Sequence, residues 1–410
     1  MAIIKPFRGI TYNPEKVNPD NIMAPPYDII SEEERANLYQ KSIYNIVRID
    51  CAENKPGQDK YLIARQNLET WLKEKIFLRE EKPIFYGYEI IYRYKNYEKI
   101  LRGIIGVIKL EELGQGVYPH EQTYSKPKTD RLNLMKACMA NTSLIFSIYR
   151  SKERITSKIV ESLTEPFIKA KDSEGNIHNL YRIEDAEKIN EIIEEFRDKS
   201  IFIADGHHRY EVALEFKKQM DKLYPEAKDP PWHYVMMFFS NIEDNGYIIL
   251  PTHRLINTSS SVKKQFEEDK EKFILQEFDE KDDIQNAIEN MGTGTFGLYL
   301  KDDKWYILKY KGSFMSNLPE QLRFLDVTIL EEIILKKIFP QREVFYEIEI
   351  DKAVKMVKEG KFDAIFALRA TNVEDIEKVA LAGLRMPPKS TYFYPKLLTG
   401  MVINSFKENF

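Results

Sequence analysis

The segment from Ser200 to Leu214 constrains this chain more than any other. Ile201-Phe202-Ile203-Ala204 has the length and apolar content of a buried strand, Asp205-Gly206 follows as a tight turn, and His207 to Leu223 reads as an amphipathic helix. A strand that enters a helix through a glycine leaves the first helical amides without intrahelical acceptors and puts the positive end of the helix dipole behind them. Such a junction accepts an anion without extra machinery. Gly206 permits a left-handed backbone, Arg209 can fork onto phosphate oxygens, and His207 and His208 can donate further bonds. Asp205 can orient a histidine or hold a divalent cation. A plainer reading stays open, in which Asp205 caps the helix and the histidines and arginine form a structural polar cluster.

The rest of the chain sets the context for that turn. With 410 residues and 43% hydrophobic content, it can bury a sizeable core and has room for two or three domains. Lys and Arg total 61 against 65 Asp and Glu, a net charge of -4, so no basic surplus favours nucleic acid or an anionic membrane. Cys51 and Cys138 are too few for a disulfide framework or thiolate cluster, which fits a reducing, cytoplasmic setting. The first nine residues lack a signal-peptide pattern, and the apolar runs fall short of a membrane span.

The pattern of elements predicts an α+β fold with mixed sheets. Ser31 caps a helix expected over Glu32 to Gln40, and further helices are expected over Tyr61 to Lys75, Thr156 to Ala170, Glu184 to Phe196 and Val327 to Ile338. Ile84 to Tyr94 and Lys99 to Lys109 read as a hairpin across Lys95-Asn96, with other strands at Tyr234 to Phe239, Gly297 to Leu300 and Trp305 to Tyr310. Asn45 and Arg48 are expected on a short strand. A polar loop over Val117 to Asp130 leads into a helix near Arg131. Pro230-Pro231 is the expected domain boundary, giving regions 1–229 and 230–410, with an intertwined arrangement also open.

Three outlying motifs carry reactive side chains. In Pro119-His120-Glu121-Gln122-Thr123, Glu121 is a candidate general base or Mg²⁺ ligand and His120 a catalytic partner, while Thr123, Lys126 and Arg131 are candidates to meet substrate or phosphate. Tyr124 stands where a zinc-peptidase motif needs its second histidine, so that class is excluded. His253 and Arg254, closing a strand after Pro251, offer a second phosphate contact or a structural strand end. Lys389, Ser390 and Lys396, among the prolines and aromatics of Met386 to Lys396, suit an anionic substrate or a packed covering loop.

On Asp205-Gly206-His207-His208-Arg209 the sequence resembles the nucleotide phosphate-binding motif of the ParB, sulfiredoxin and free serine kinase superfamily. Over essentially its whole length it also resembles an uncharacterised bacterial and archaeal family, the domain of unknown function 1015. That match rests on Pro25-Pro26-Tyr27-Asp28, Pro119 to Thr123, Asp130-Arg131-Leu132, the central motif, Pro251 to Arg254 and Met386 to Lys396. The resemblance implies a ParB/sulfiredoxin-like core in which Gly206, His207, His208 and Arg209 grip nucleotide phosphates. No cysteine lies in the motif, which disfavours sulfinic acid repair, and no helix-turn-helix module is evident. The implied activity is phosphoryl transfer from a nucleotide, ATP or ADP, to a small hydroxyl metabolite, with free serine the first candidate. Mg²⁺ would sit on Asp205 and Glu121, and His120, Glu121, Asp205, His207 and His208 would form the catalytic set. The rival readings are a phosphatase acting on a metabolite such as phosphoserine, and a nucleotide-gated binding or scaffold protein.

Overall fold

The computed structural model describes residues 2–54, 56–123, 125–279, 284–312 and 317–407, with side chains omitted at 125–127. Helices and several sheets alternate along the chain, the α+β mixture its patterning calls for. Two compact units result: Met1–Pro119, Thr123–Ile248 and Pro395–Phe410 make the first, and His120–Gln122 with Ile249–Tyr394 the second.

The first unit is built on a nine-stranded mixed sheet. Its strands are β1 (Ile4–Lys5), β2 (Phe85–Tyr94), β3 (Tyr97–Lys109), β4 (Val117–Tyr118), β5 (Ile145–Tyr149), β6 (Ile168–Lys171), β7 (Ile177–Ile183), β8 (Ile201–Asp205) and β9 (Tyr234–Asn241). They lie in the order β4-β8-β5-β9-β3-β2-β7-β6, with β1 beside β3. β4 and β8, and β5 and β9, run parallel, and the remaining pairs are antiparallel. Every residue of β9 is buried. A strand covered on both faces needs a continuous apolar run rather than an alternating one, and Tyr-Val-Met-Met-Phe-Phe supplies it. The β2–β3 hairpin closes with Tyr94 opposite Tyr97 and Lys95 at φ 55°, the positive φ that a two-residue turn demands.

Helices α1 (Glu32–Lys41), α2 (Lys60–Lys73), α3 (Ser125–Cys138), α4 (Ile155–Glu161), α5 (Ala186–Phe196) and α6 (His207–Leu223) belong to this unit. Ser31 Oγ accepts from Glu34 N at 3.1 Å, the cap expected for α1. Phe196 of α5 is fully buried against Tyr149 and Phe239, at ring separations of 4.5 and 5.1 Å.

Several expectations need correction. The helix foreseen over Thr156 to Ala170 stops at Glu161. Pro166 intervenes, and Ile168 and Ala170 turn inward from β6, which pairs with β7. Helix α3 starts at Ser125 instead of near Arg131, because a proline is tolerated in a first turn, where its missing N–H has no partner to lose. Arg48 lies in a helical turn, Val47–Asp50, not a strand; it donates to the Tyr39 carbonyl at 2.7 Å and covers that ring. Pro230-Pro231 falls inside the first unit, since β9 just beyond it is central to the nine-stranded sheet.

The second unit contains a six-stranded antiparallel sheet of β10 (His253–Thr258), β11 (Phe273–Phe278), β12 (Thr295–Leu300), β13 (Trp305–Tyr310), β14 (Arg342–Glu347) and β15 (Ala364–Ala367). Their order is β11-β13-β12-β15-β10-β14. Leu255, Ile288, Tyr299 and Ile365 sit at the centre of its core. The helix expected over Val327 to Ile338 begins at Asp326 and takes wider, π-type turns over Leu330–Ile338.

A partly buried ion-pair network ties helices of the first unit together. The Arg131 guanidinium donates to the Asp50 carbonyl at 2.7 Å and to Asp130 Oδ2 at 3.0 and 2.6 Å, with the Asp50 carboxylate 3.4 Å away. Lys60 Nζ and Tyr61 Oη, at the start of α2, reach Asp130 Oδ1 at 2.5 and 3.0 Å. Burial resists ionisation of Asp130, but Arg131 and Lys60 outweigh it and hold the carboxyl at about 2, against an ordinary 3.8. A carboxylate depressed in the folded state stabilises above its ordinary value, and that contribution disappears as pH falls through the folded value. Asp130→Asn should therefore lose about 1–2 kcal/mol at neutral pH. Urea unfolding of the two proteins should converge between about pH 5 and pH 2; a pH-independent difference contradicts this role.

Candidate functional site: the turn between β8 and α6

Gly206 links β8 to α6 at φ 98° and ψ 27°. Two constraints exclude a side chain there. The backbone is left-handed, and an added Cβ would stand 2.9 Å from Arg209 Nε. Arg209 folds back across the glycine, donates from Nη1 to the Leu144 carbonyl just before β5, and brings Nη2 within 3.7 Å of Asp205 Oδ2. The turn is thus fastened to a neighbouring strand by the side chain of its own first helical turn. Gly206 itself occupies the N-cap position of α6, and Asp205 precedes it.

Asp205 also meets Lys396 Nζ at 3.1 Å, so one carboxylate faces two permanent cations. The balance is positive before the helix dipole is added. His207 is buried and His208 half-buried. Tyr210 anchors the helix from below, its hydroxyl donating to the Glu111 carbonyl at 2.9 Å and accepting from Glu111 N at 3.2 Å. Glu211 takes Thr123 Oγ1 at 2.8 Å and Lys128 Nζ at 2.7 Å, which joins the approach to α3 to the first turn of α6. Tyr27, from the Pro25-Pro26 loop, lies with its ring 4.0 Å from the Arg131 guanidinium carbon. Burial and then Asp28 push its hydroxyl up to about 12, although Arg209 and Arg131 pull the other way. Behind the turn, Arg131, Thr142 and Arg209 border a cavity of about 30 Å³, the space of a single water.

Within the second unit, His120–Gln122 is laced to the loop over Met386 to Thr391. Glu121 accepts from Lys389 N at 2.8 Å and Ser390 N at 3.2 Å, and Met386 N donates to the His120 carbonyl at 2.7 Å. Arg254 donates to the Lys389 carbonyl at 2.9 Å, and Ser390 Oγ closes onto the Pro387 carbonyl at 2.6 Å. His120 Nε2 lies 2.9 Å from Thr391 Oγ1. These bonds hold Lys389 at φ 57°, a conformation that a lysine takes at a cost. His253 is buried, with Nδ1 accepting from Leu368 N at 3.3 Å. Burial, and then Arg254, lower it to about 4, so it is neutral at physiological pH.

The family model described as "Protein of unknown function (DUF1015)" matches residues 4–328. The chain belongs to this family. No curated protein matches the DUF1015 chain. Among solved structures, free serine kinase in complex with AMP aligns with a TM-score of 0.41 and 15% identity, covering 75% of this chain and 93% of that one. A mutant of free serine kinase in complex with ADP gives 0.42 and 14%, covering 75% and 94%. A conserved hypothetical protein from Pyrococcus furiosus gives 0.37 and 16%, covering 71% and 93%.

In this DUF1015 chain, Thr123, Asp205, Gly206, His207, His208, Arg209 and Lys396 share the first unit, linked through the contacts at the turn. Arg131, also there, is enclosed by Asp50 and Asp130. His120, Glu121, His253, Arg254, Lys389 and Ser390 belong to the second unit. The Lys126 side chain lies outside the described residues. Among the described residues no three His, Cys, Asp or Glu side chains gather as a metal-ligand set. Asp205 faces two cations and Glu121 two amides, arrangements that do not favour a dication at either carboxylate. Tyr27 lies in the Pro25-Pro26-Tyr27-Asp28 motif but was not singled out within it, and Asp50 had no distinguishing local signal. Asp50 reaches Arg131 across 81 positions of sequence, a separation that no motif encodes.

Gly206→Ala should lower stability by about 1–3 kcal/mol, since the new methyl meets both the strained φ and Arg209. Chemical denaturation checks it, and an alanine variant as stable as the wild type contradicts the turn geometry.

Proposed function

We propose that this DUF1015 chain is a nucleotide-dependent phosphotransferase with a ParB/sulfiredoxin-like core, passing a phosphoryl group between ATP or ADP and a small hydroxyl metabolite, free serine first. The observation that carries the reading is the β8–α6 turn, where a glycine-capped helix N-terminus stands beside Arg209 and Lys396, with the Asp205 carboxylate between them. The amides of a helix's first turn and cations beside them are what phosphate oxygens require. The resemblance of Gly206 to Arg209 to the superfamily's phosphate motif supports the same assignment.

The residues divide the work as follows. The backbone over Gly206 to Arg209 and the half-buried His208 receive phosphate oxygens, and Lys396 swings from Asp205 to the incoming charge. Arg209 acts mainly from behind, keeping the turn closed while adding its field. His207 is the buried support of the pair. Thr123, in the same unit, offers its hydroxyl to the substrate, whose own hydroxyl proton passes to solvent. Mg²⁺ arrives chelated by the nucleotide's own phosphates, and no step is assigned to a protein-held ion. Phosphoryl transfer needs positioning and charge neutralisation more than covalent machinery, which this inventory can supply. Work in the cytoplasm, where ATP and ADP are available, agrees with the sparse cysteines.

The test combines phosphorus NMR with nucleotide affinity. Incubation with ATP or ADP, Mg²⁺ and serine should give phosphoserine, and Lys396→Ala should weaken nucleotide binding about tenfold, the worth of one charge-assisted bond. Unchanged affinity in that variant removes Lys396 from the site. Nucleotide binding without any phosphorylated product replaces the phosphotransferase with the nucleotide-gated binding protein.

A further inference from the structure

A second cavity lies elsewhere in the first unit, with a volume of about 230 Å³. It shares no lining residue with the β8–α6 turn. Among the described residues that line it, four are cationic, Lys5, Arg8, Arg79 and Lys407, and one, Asp229, is anionic. Lys5 and Lys407 are paired with carboxylates, which leaves the guanidinium groups of Arg8 and Arg79 as the charge the cavity presents.

The individual contacts show how the charge is kept. Lys5 Nζ pairs with Asp229 at 2.7 Å, and the Tyr234 hydroxyl donates to the same carboxylate at 2.8 Å. Arg8 is oriented by a backbone acceptor, its Nε donating to the Glu80 carbonyl at 2.9 Å. Arg79 donates to the Lys407 carbonyl at 2.5 Å, and Lys407 Nζ meets Glu69 at 3.2 Å. A carbonyl fixes a guanidinium without cancelling its charge, and the remaining N–H groups of such a fork match a carboxylate or phosphate.

Asn404 and Ser405 add polar groups to the lining, and Phe7, Val107 and Phe406 give it an apolar side. Phe406 stacks on Phe216 at 5.4 Å, and its N–H donates to the Met139 carbonyl at 2.8 Å. Phe7 is held by a bond from its N–H to the Ile84 carbonyl at 3.0 Å, and Val107 projects from β3 opposite Lys5. The volume is below the roughly 300–1,000 Å³ of drug-sized ligand pockets, which selects a compact metabolite-sized occupant.

We propose that this cavity binds a small organic anion, with its carboxylate or phosphate on Arg8 and its apolar body against Phe7, Val107 and Phe406. The site is separate from the nucleotide reading and does not depend on it. Lys5 and Asp229 set its strength: the carboxylate holds Lys5 in place but also repels the ligand.

Calorimetry at low salt, with phenyl phosphate and inorganic phosphate as probes, tests the assignment. Phenyl phosphate should bind saturably and about tenfold tighter than inorganic phosphate, because the ring buries apolar surface. Arg8→Gln should weaken phenyl phosphate about tenfold, whereas Asp229→Asn should tighten it severalfold by removing the opposing charge. Lys396→Ala should leave its affinity unchanged. The proposal fails if phenyl phosphate gives no saturable signal, if inorganic phosphate binds equally well, if Arg8→Gln and Asp229→Asn both match the wild type, or if Lys396→Ala abolishes binding and so moves the probe to the β8–α6 turn.

Discussion

The return of Arg209 across Gly206 is the contact on which the candidate site depends. A left-handed glycine lets β8 reverse directly into α6, and the space above its α-carbon is filled by the guanidinium of its own helix. Because that guanidinium ends on the Leu144 carbonyl, the position of the helix N-terminus is set by the strand beside it. Asp205 balances part of the charge and Lys396 restores the surplus. Local backbone chemistry, one long side chain and a distant lysine together make a small electropositive turn on a packed sheet.

Arginines serve a common architectural purpose elsewhere in the chain. Arg131, Arg209 and Arg254 each donate to main-chain carbonyls, of Asp50, Leu144 and Lys389 respectively. A guanidinium can satisfy several acceptors in fixed directions, so it locks irregular backbone where no ladder of hydrogen bonds is available. Two of these three, Arg131 and Arg254, are nearly fully buried. Their sequence signature, a charged residue beside aspartate or histidine in a motif-like run, is the same whether the partner is a ligand or a peptide group. Glu121 shows the acidic counterpart: its two oxygens gather the amides of Lys389 and Ser390.

What the sequence made legible was mostly local. The Ser31 cap, the β2–β3 hairpin with its Lys95-Asn96 turn, and the helix from His207 to Leu223 follow from short-range signals, and the structure has each of them. β6 and β7 were missed because a short amphipathic run such as Ile-Lys-Ala-Lys becomes a strand only when a partner edge exists. The boundary expected at Pro230-Pro231 was read from prolines, but β9 beyond them pairs with β3 and β5, contacts that no local pattern states. The Gly206 turn was legible because its requirements are contiguous. The partners of Arg131 and the Glu121-held loop were not, because each joins segments far apart in sequence.

Amide-resolved NMR during an ADP titration shows whether the β8–α6 turn receives nucleotide phosphates. Phosphate binding at the turn gives the largest saturable shifts at the backbone amides from Gly206 to Arg209, with a matching change at the Lys396 ammonium. Saturable binding that leaves those amides unmoved while perturbing another region would contradict it.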